Sequence, residues 1–101
     1  MEFYYAPVQI ILGVQKSLTP YSYVDLGSYA TTLMLAAKEK GIDSMPAFSP
    51  VYFADRLREV VDIPEDINAV FGIGLGYAED CVYNKPVAER MPLEKFVKYF
   101  E

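Results

Sequence analysis

The chain has 101 residues, enough for one domain at most, with a net charge of −5, no histidine and one cysteine, Cys81. The acidic balance excludes general nucleic-acid backbone binding, and the missing histidine excludes Ser-His-Asp, Cys-His and zincin chemistry within the chain. A lone cysteine closes no intrachain disulfide and, without histidine, builds no ordinary zinc site, so any chemistry must come from a cofactor, carboxylates or another chain.

Residues 3–14 form a nearly continuous apolar, β-branched run, the pattern of a strand buried on both faces, with Pro7 near its start. Lys16 to Tyr21 reads as a loop. Ser22 as cap with Asp25 three residues on gives a capping box. Leu26, Ala30, Leu33, Met34 and Ala37 then recur at helical spacing, and Gly41 supplies a left-handed stop, which predicts a helix at 23–40. Ser49-Pro50 opens a second predicted helix with the stripe Phe53, Leu57, Val60 and Val61, ending before Asp62. Residues 69–77 alternate as a strand, with Phe71, Ile73, Leu75 and Tyr77 on one face and Gly72, Gly74 and Gly76 on the other. In the tail, Leu93, Phe96, Val97 and Phe100 share one helical face. One α+β unit over 1–101 follows: strand, helix, helix, strand, tail. Two strands alone are marginal in water, so the sheet is expected to be completed by a partner chain.

No segment is apolar enough to span a membrane and no signal peptide opens the chain, which leaves the cytoplasm as the expected compartment. Gly72-x-Gly74-x-Gly76 lies within a strand rather than before a helix, so it is no dinucleotide fingerprint. Glycines there allow a helix, such as 23–40, to pack close. Asp62, Glu65, Asp66, Glu79 and Asp80 fall in loops and helix ends, where solvated acids are ordinary. Cys81 has no neighbouring base or cation to activate it. Arg90, in a polar stretch before Pro92, reads either as a clamp for phosphate or carboxylate or as a surface charge.

In order along the chain, Ala6-Pro7-Val8, the helix Tyr29–Ala37 followed by Gly41-Ile42-Asp43-Ser44-Met45-Pro46, Ile63-Pro64-Glu65 leading to Gly74-Leu75-Gly76-Tyr77, and Arg90-Met91-Pro92-Leu93-Glu94 resemble segments of the FMN-dependent nitroreductase family. The resemblance covers that family's C-terminal half. It implies an α+β nitroreductase-like fold, an obligate homodimer with FMN at the subunit interface, and NAD(P)H as electron donor. Nitroaromatics, quinones or similar compounds would be the acceptors. It places Met45, Pro46 and Ala47 in the loop whose backbone faces the flavin ring and Arg90 at the FMN phosphate, with no catalytic side chain and no metal ligand implied. Ala88 stands where a second basic residue is common, Thr31-Thr32 replaces a frequent Gln-Asn, and Phe48-Ser49 departs from the usual loop. The family's N-terminal half, with its arginine-rich phosphate site, is expected from dimerisation or from a separate chain. The alternative is a non-catalytic remnant that serves as an oligomerisation or binding module.

Overall fold

The computed structural model describes residues 5–52 and 54–101. Strand β1 (Val8–Gln15) leads through a loop into helix α1 (Tyr21–Glu39), followed by strand β2 (Asp43–Ala47) and a 3₁₀ turn at Ser49–Val51. Helix α2 (Ala54–Val60) and strand β3 (Ile67–Gly76) come next, and single 3₁₀ turns at Val82–Asn84 and Leu93–Lys95 complete the chain. The sheet has three strands in the order β1-β3-β2, with both pairings antiparallel. The predicted 69–77 strand is therefore present, two residues longer at its start and one shorter at its end, which leaves Tyr77 outside it and exposed. The 3–14 strand begins only at Val8, and its residues 3 and 4 lie outside the described residues.

Register explains the faces. Ile10 pairs with Ile73 and Leu12 with Phe71, so the branched side chains of β1 and β3 share the face that α1 covers. Leu12, Ala30 and fully buried Ile73 form the centre of that core, with Leu26, Leu33 and Met34 packed around it. The helical stripe read from the sequence is thus the buried one. The helix starts earlier than predicted. Pro20, at φ −55°, takes the N-cap position with no side-chain cap bond, and Ser22 lies inside the first turn. Proline pre-sets the backbone for helix entry and replaces the expected capping box. Gly41, at φ +76°, ends the helix as expected.

Four expectations fail. The segment before Ala47 is a strand, β2, not a loop. Its five residues carry no apolar alternation, and Pro46, which cannot donate to a ladder, is tolerated because β2 is an edge. The glycine side of β3 faces away from α1. A Cβ at Gly74 would sit 2.8 Å from Gln9 Nε2 and 3.0 Å from Ala6 Cβ, so the close approach is made by the entry to β1. The tail forms one 3₁₀ turn rather than a helix, with Leu93, Phe96 and Phe100 exposed because no described residue covers them. The predicted second helix splits into the Ser49–Val51 turn and α2. Leu57 is buried and Val60 exposed, while Phe53 of the predicted stripe lies outside the described residues.

The solvent-accessible surface is 8678 Å², about 2,900 Å² above the roughly 5,800 Å² expected for a compact monomer of 11.4 kDa. The radius of gyration is 16.6 Å, against about 13 Å for a compact domain of this length. The chain is open rather than closed around its core.

Candidate functional site

Strand β2 carries the first three candidate residues. Met45 and Ala47 share one face of the strand, Met45 40% exposed and Ala47 buried against the sheet, and Pro46, on the opposite face, is exposed. Pairing of Met45 with Gly74, Pro46 with Ile73 and Ala47 with Gly72 fixes this edge against the middle strand. Beyond Ala47, the Phe48 ring packs on Phe71, with centroids 5.9 Å apart and planes tilted by 45°. That contact anchors the turn in which Ser49 sits. The Ser49 hydroxyl is buried and has no hydrogen-bond partner among the described residues. A buried hydroxyl without a partner carries a desolvation penalty that an incoming polar group would relieve. The sequence marks Ser49 as the cap of a second helix, but its hydroxyl makes no cap bond, and nothing in a sequence reports the burial of one oxygen.

The other end of β2 is held electrostatically. Lys38 Nζ donates to one Asp43 oxygen at 2.8 Å and the Ala78 N–H donates to the other at 2.8 Å. The Lys38 hydrogen bond first, then the Ala78 N–H, then the Lys38 charge hold the Asp43 carboxyl below the usual carboxylate range. One acid thereby ties the last turn of α1, the start of β2 and the exit of β3 together. An open cavity of about 480 Å³ lies here, lined by Met45, Asp43, Gly74, Tyr77 and Cys81 among others. Of the four candidate residues, Met45 alone lines it.

Arg90 lies in the exposed, irregular stretch after the Val82–Asn84 turn. It makes no ion pair and no hydrogen bond among the described residues, whereas Lys85 reaches Asp80 at 3.6 Å and Lys38 is bound to Asp43. The structure gathers Met45, Pro46 and Ala47 on one strand and leaves Arg90 on a separate segment. The loop acids Asp62, Glu65 and Asp66 form no metal cluster with any other described residue, and Glu79 and Asp80 form none either. No helix among the described residues is long and apolar enough to cross a membrane.

Residues 2–77 match the model of the nitroreductase family. The 4-nitrobenzoate reductase of Pseudomonas putida is 32% identical over 79 residues, which are 78% of this chain and 35% of that protein. Nitroreductase NfnB of Mycolicibacterium smegmatis is 35% identical over 80 residues, 79% of this chain and 34% of that protein. The crystal structure of the FMN-dependent nitroreductase NfnB from Mycobacterium smegmatis, in complex with NADPH, superposes with a TM-score of 0.89 at 31% identity. It covers 98% of this chain and 45% of that one. The FMN- and NADPH-dependent NfnB of sphigopyxis sp. strain HMH shares the fold, with a TM-score of 0.91 at 21% identity. This chain spans less than half the length of these relatives. With most of its length matched by the family model, and 98% of it covered by a solved nitroreductase of 31% identity, the chain belongs to the nitroreductase family.

Proposed function

We propose that this chain is a component of an FMN-dependent NAD(P)H oxidoreductase that reduces nitroaromatics, quinones or similar acceptors. The observation that carries the reading is the superposition of 98% of the chain on an FMN-dependent nitroreductase at 31% identity. The residues present fit the cofactor in part. Met45 and Pro46 offer an exposed, largely apolar strand edge for a planar ring, and the thioether adapts readily to aromatic surfaces. The Ser49 hydroxyl, two residues beyond Ala47 and without a partner among the described residues, would gain one from a polar ring edge brought against it. Arg90 keeps its guanidinium unpaired among the described residues, as a phosphate clamp requires.

When bound, FMN supplies the hydride and electron transfer, and the protein holds and orients it. This chain's own part is binding. Ala47, buried against β3, fixes the strand so that Met45 and Pro46 present a constant surface. Arg90 neutralises part of a dianion. Ala88, two places earlier, adds no cation, so the remaining phosphate charge is met by a second copy or by a segment corresponding to the family's N-terminal half.

Titration of flavin fluorescence tests the reading. The chain alone should bind FMN weakly. Addition of a polypeptide carrying the family's N-terminal half should tighten binding, and Arg90→Ala in that pair should weaken it about tenfold, the equivalent of 1.4 kcal/mol. Unchanged affinity in the Arg90→Ala pair removes this arginine from the site. No binding after reconstitution favours the non-catalytic binding module.

A further inference from the structure

We infer that Asp43 is a positioning residue for the cofactor site. Its carboxylate latches the chain that leaves β3, and leads to Arg90, onto the strand that carries Met45, Pro46 and Ala47. The inference rests on the flavin reading above and deepens it by naming what holds the two parts of the site in one arrangement.

From Tyr77 to Glu101 every residue is exposed except Cys81 and Val97, so little packing holds this part of the chain. Its own bonds are local. The Asn84 side-chain amide donates to the Glu79 carbonyl at 2.8 Å, the Asn84 N–H donates to the Cys81 carbonyl at 3.1 Å, and Lys85 reaches Asp80 at 3.6 Å. These contacts gather residues 79–85 into one turn. Among the described residues, and outside the strand ladder, a single hydrogen bond joins that part of the chain to the rest of the molecule. It runs from the Ala78 N–H to Asp43.

Asp43 is the first residue of β2 and pairs with Gly76, the last of β3, so its carboxylate stands where the chain leaves the sheet. One oxygen accepts the Ala78 N–H at 2.8 Å and the other accepts Lys38 Nζ, from the last turn of α1, at 2.8 Å. Water screens the ion pair, since both side chains are open to it, and the directional Ala78 bond is therefore the tie. A bond to an ionised acceptor is about twice as strong as one between neutral groups, and the ammonium keeps the acceptor ionised. Beyond Lys85, Pro86 stiffens the short connection to Arg90. A turn free to swing would offer Arg90 to a phosphate only part of the time, and apparent affinity falls by that fraction.

Two readouts test this, the first without flavin. Spin labels at Lys16→Cys, by the first strand, and Tyr83→Cys, in the turn, are placed in a Cys81→Ser background and diluted with unlabelled chain. Pulsed electron resonance should give a narrow distance distribution that broadens in Asp43→Ala. Asp43→Asn keeps an acceptor oxygen for Ala78 and should recover most of the narrow component. Lys38→Met spares the Ala78 bond and should leave the distribution nearly unchanged. If Asp43→Ala loses the sheet, Asp43→Val, which favours strand and has no acceptor, takes its place. The second readout is flavin titration of the reconstituted pair. Asp43→Ala should weaken FMN binding about fivefold, as a latched fraction reduced to about a fifth requires. In an Arg90→Ala background it should cost nothing further, because the acid acts through the arginine. An unchanged distribution in Asp43→Ala, or equal broadening in Lys38→Met, overturns the inference. So does a flavin cost that is absent, or undiminished when Arg90 is already alanine. If the wild-type pair binds no FMN while the distance still responds to Asp43, the oxidoreductase reading falls and the latch stands. If FMN binds and the distance does not respond, this inference alone falls.

Discussion

Asp43 shows how much one exposed acid can organise. It bonds Lys38 five residues back and the Ala78 N–H 35 residues ahead. Its folded-state pKa is lowered, so its contribution to stability is fully present above the unfolded carboxylate value near pH 4 and fades as pH falls through the lower folded value. The stability difference between wild type and Asp43→Asn should therefore be constant above about pH 5 and shrink below about pH 4. Urea unfolding at several pH values checks this, and a difference that persists undiminished at pH 2.5 refutes it. Gly41 was legible from the sequence because its φ of +76° follows from the helix it ends. The role of Asp43 was not, because its second partner is remote in sequence. Ser49 was illegible for a related reason, since burial belongs to the fold rather than to the residue.

Among the elements, the long helix and the apolar strands were legible, because their periodicity is the pattern that packing uses. Strand β2 was missed, since it is held by pairing with β3 and its residues, including Pro46, have little strand propensity. The candidate residues Met45, Pro46 and Ala47 were found only through resemblance, and their strand geometry was not foreseen. The tail's helical spacing identified which side chains are apolar, but spacing forms a helix only where a surface receives it. Arg58 is a further feature that periodicity does not reveal. From α2, Nη1 donates to the carbonyls of Ile63 at 2.9 Å and Pro64 at 2.8 Å, and Nη2 donates to that of Ile67, locking the turn that launches β3. Arg58→Ala should destabilise the chain by about 1.5–3 kcal/mol, and Arg58→Lys should recover only part of it because an ammonium lacks the planar fork. Denaturant midpoints measure both, and a full rescue by lysine would show that charge alone suffices.

At the scale of the whole molecule, the tail and the open surface belong to one problem. Leu93, Phe96, Tyr99 and Phe100 are all more than 60% exposed, and they add apolar surface that a compact monomer would cover. Deleting residues 92–101 should weaken self-association while leaving the far-ultraviolet dichroism of α1 and the sheet nearly unchanged. Sedimentation of the truncated chain measures this, and full retention of the oligomer would assign the tail no docking role. The order of the strands has a temporal side as well. The middle strand, β3, is the last made, with about 50 residues between Gln15 and Ile67, and at ribosomal rates of ~5–20 residues per second the first strand waits several seconds for its neighbour. During that interval α1 has already emerged with its apolar stripe bare. The nascent chain is then most open to capture by a chaperone, or by another copy on the same messenger, before any sheet exists to hold it.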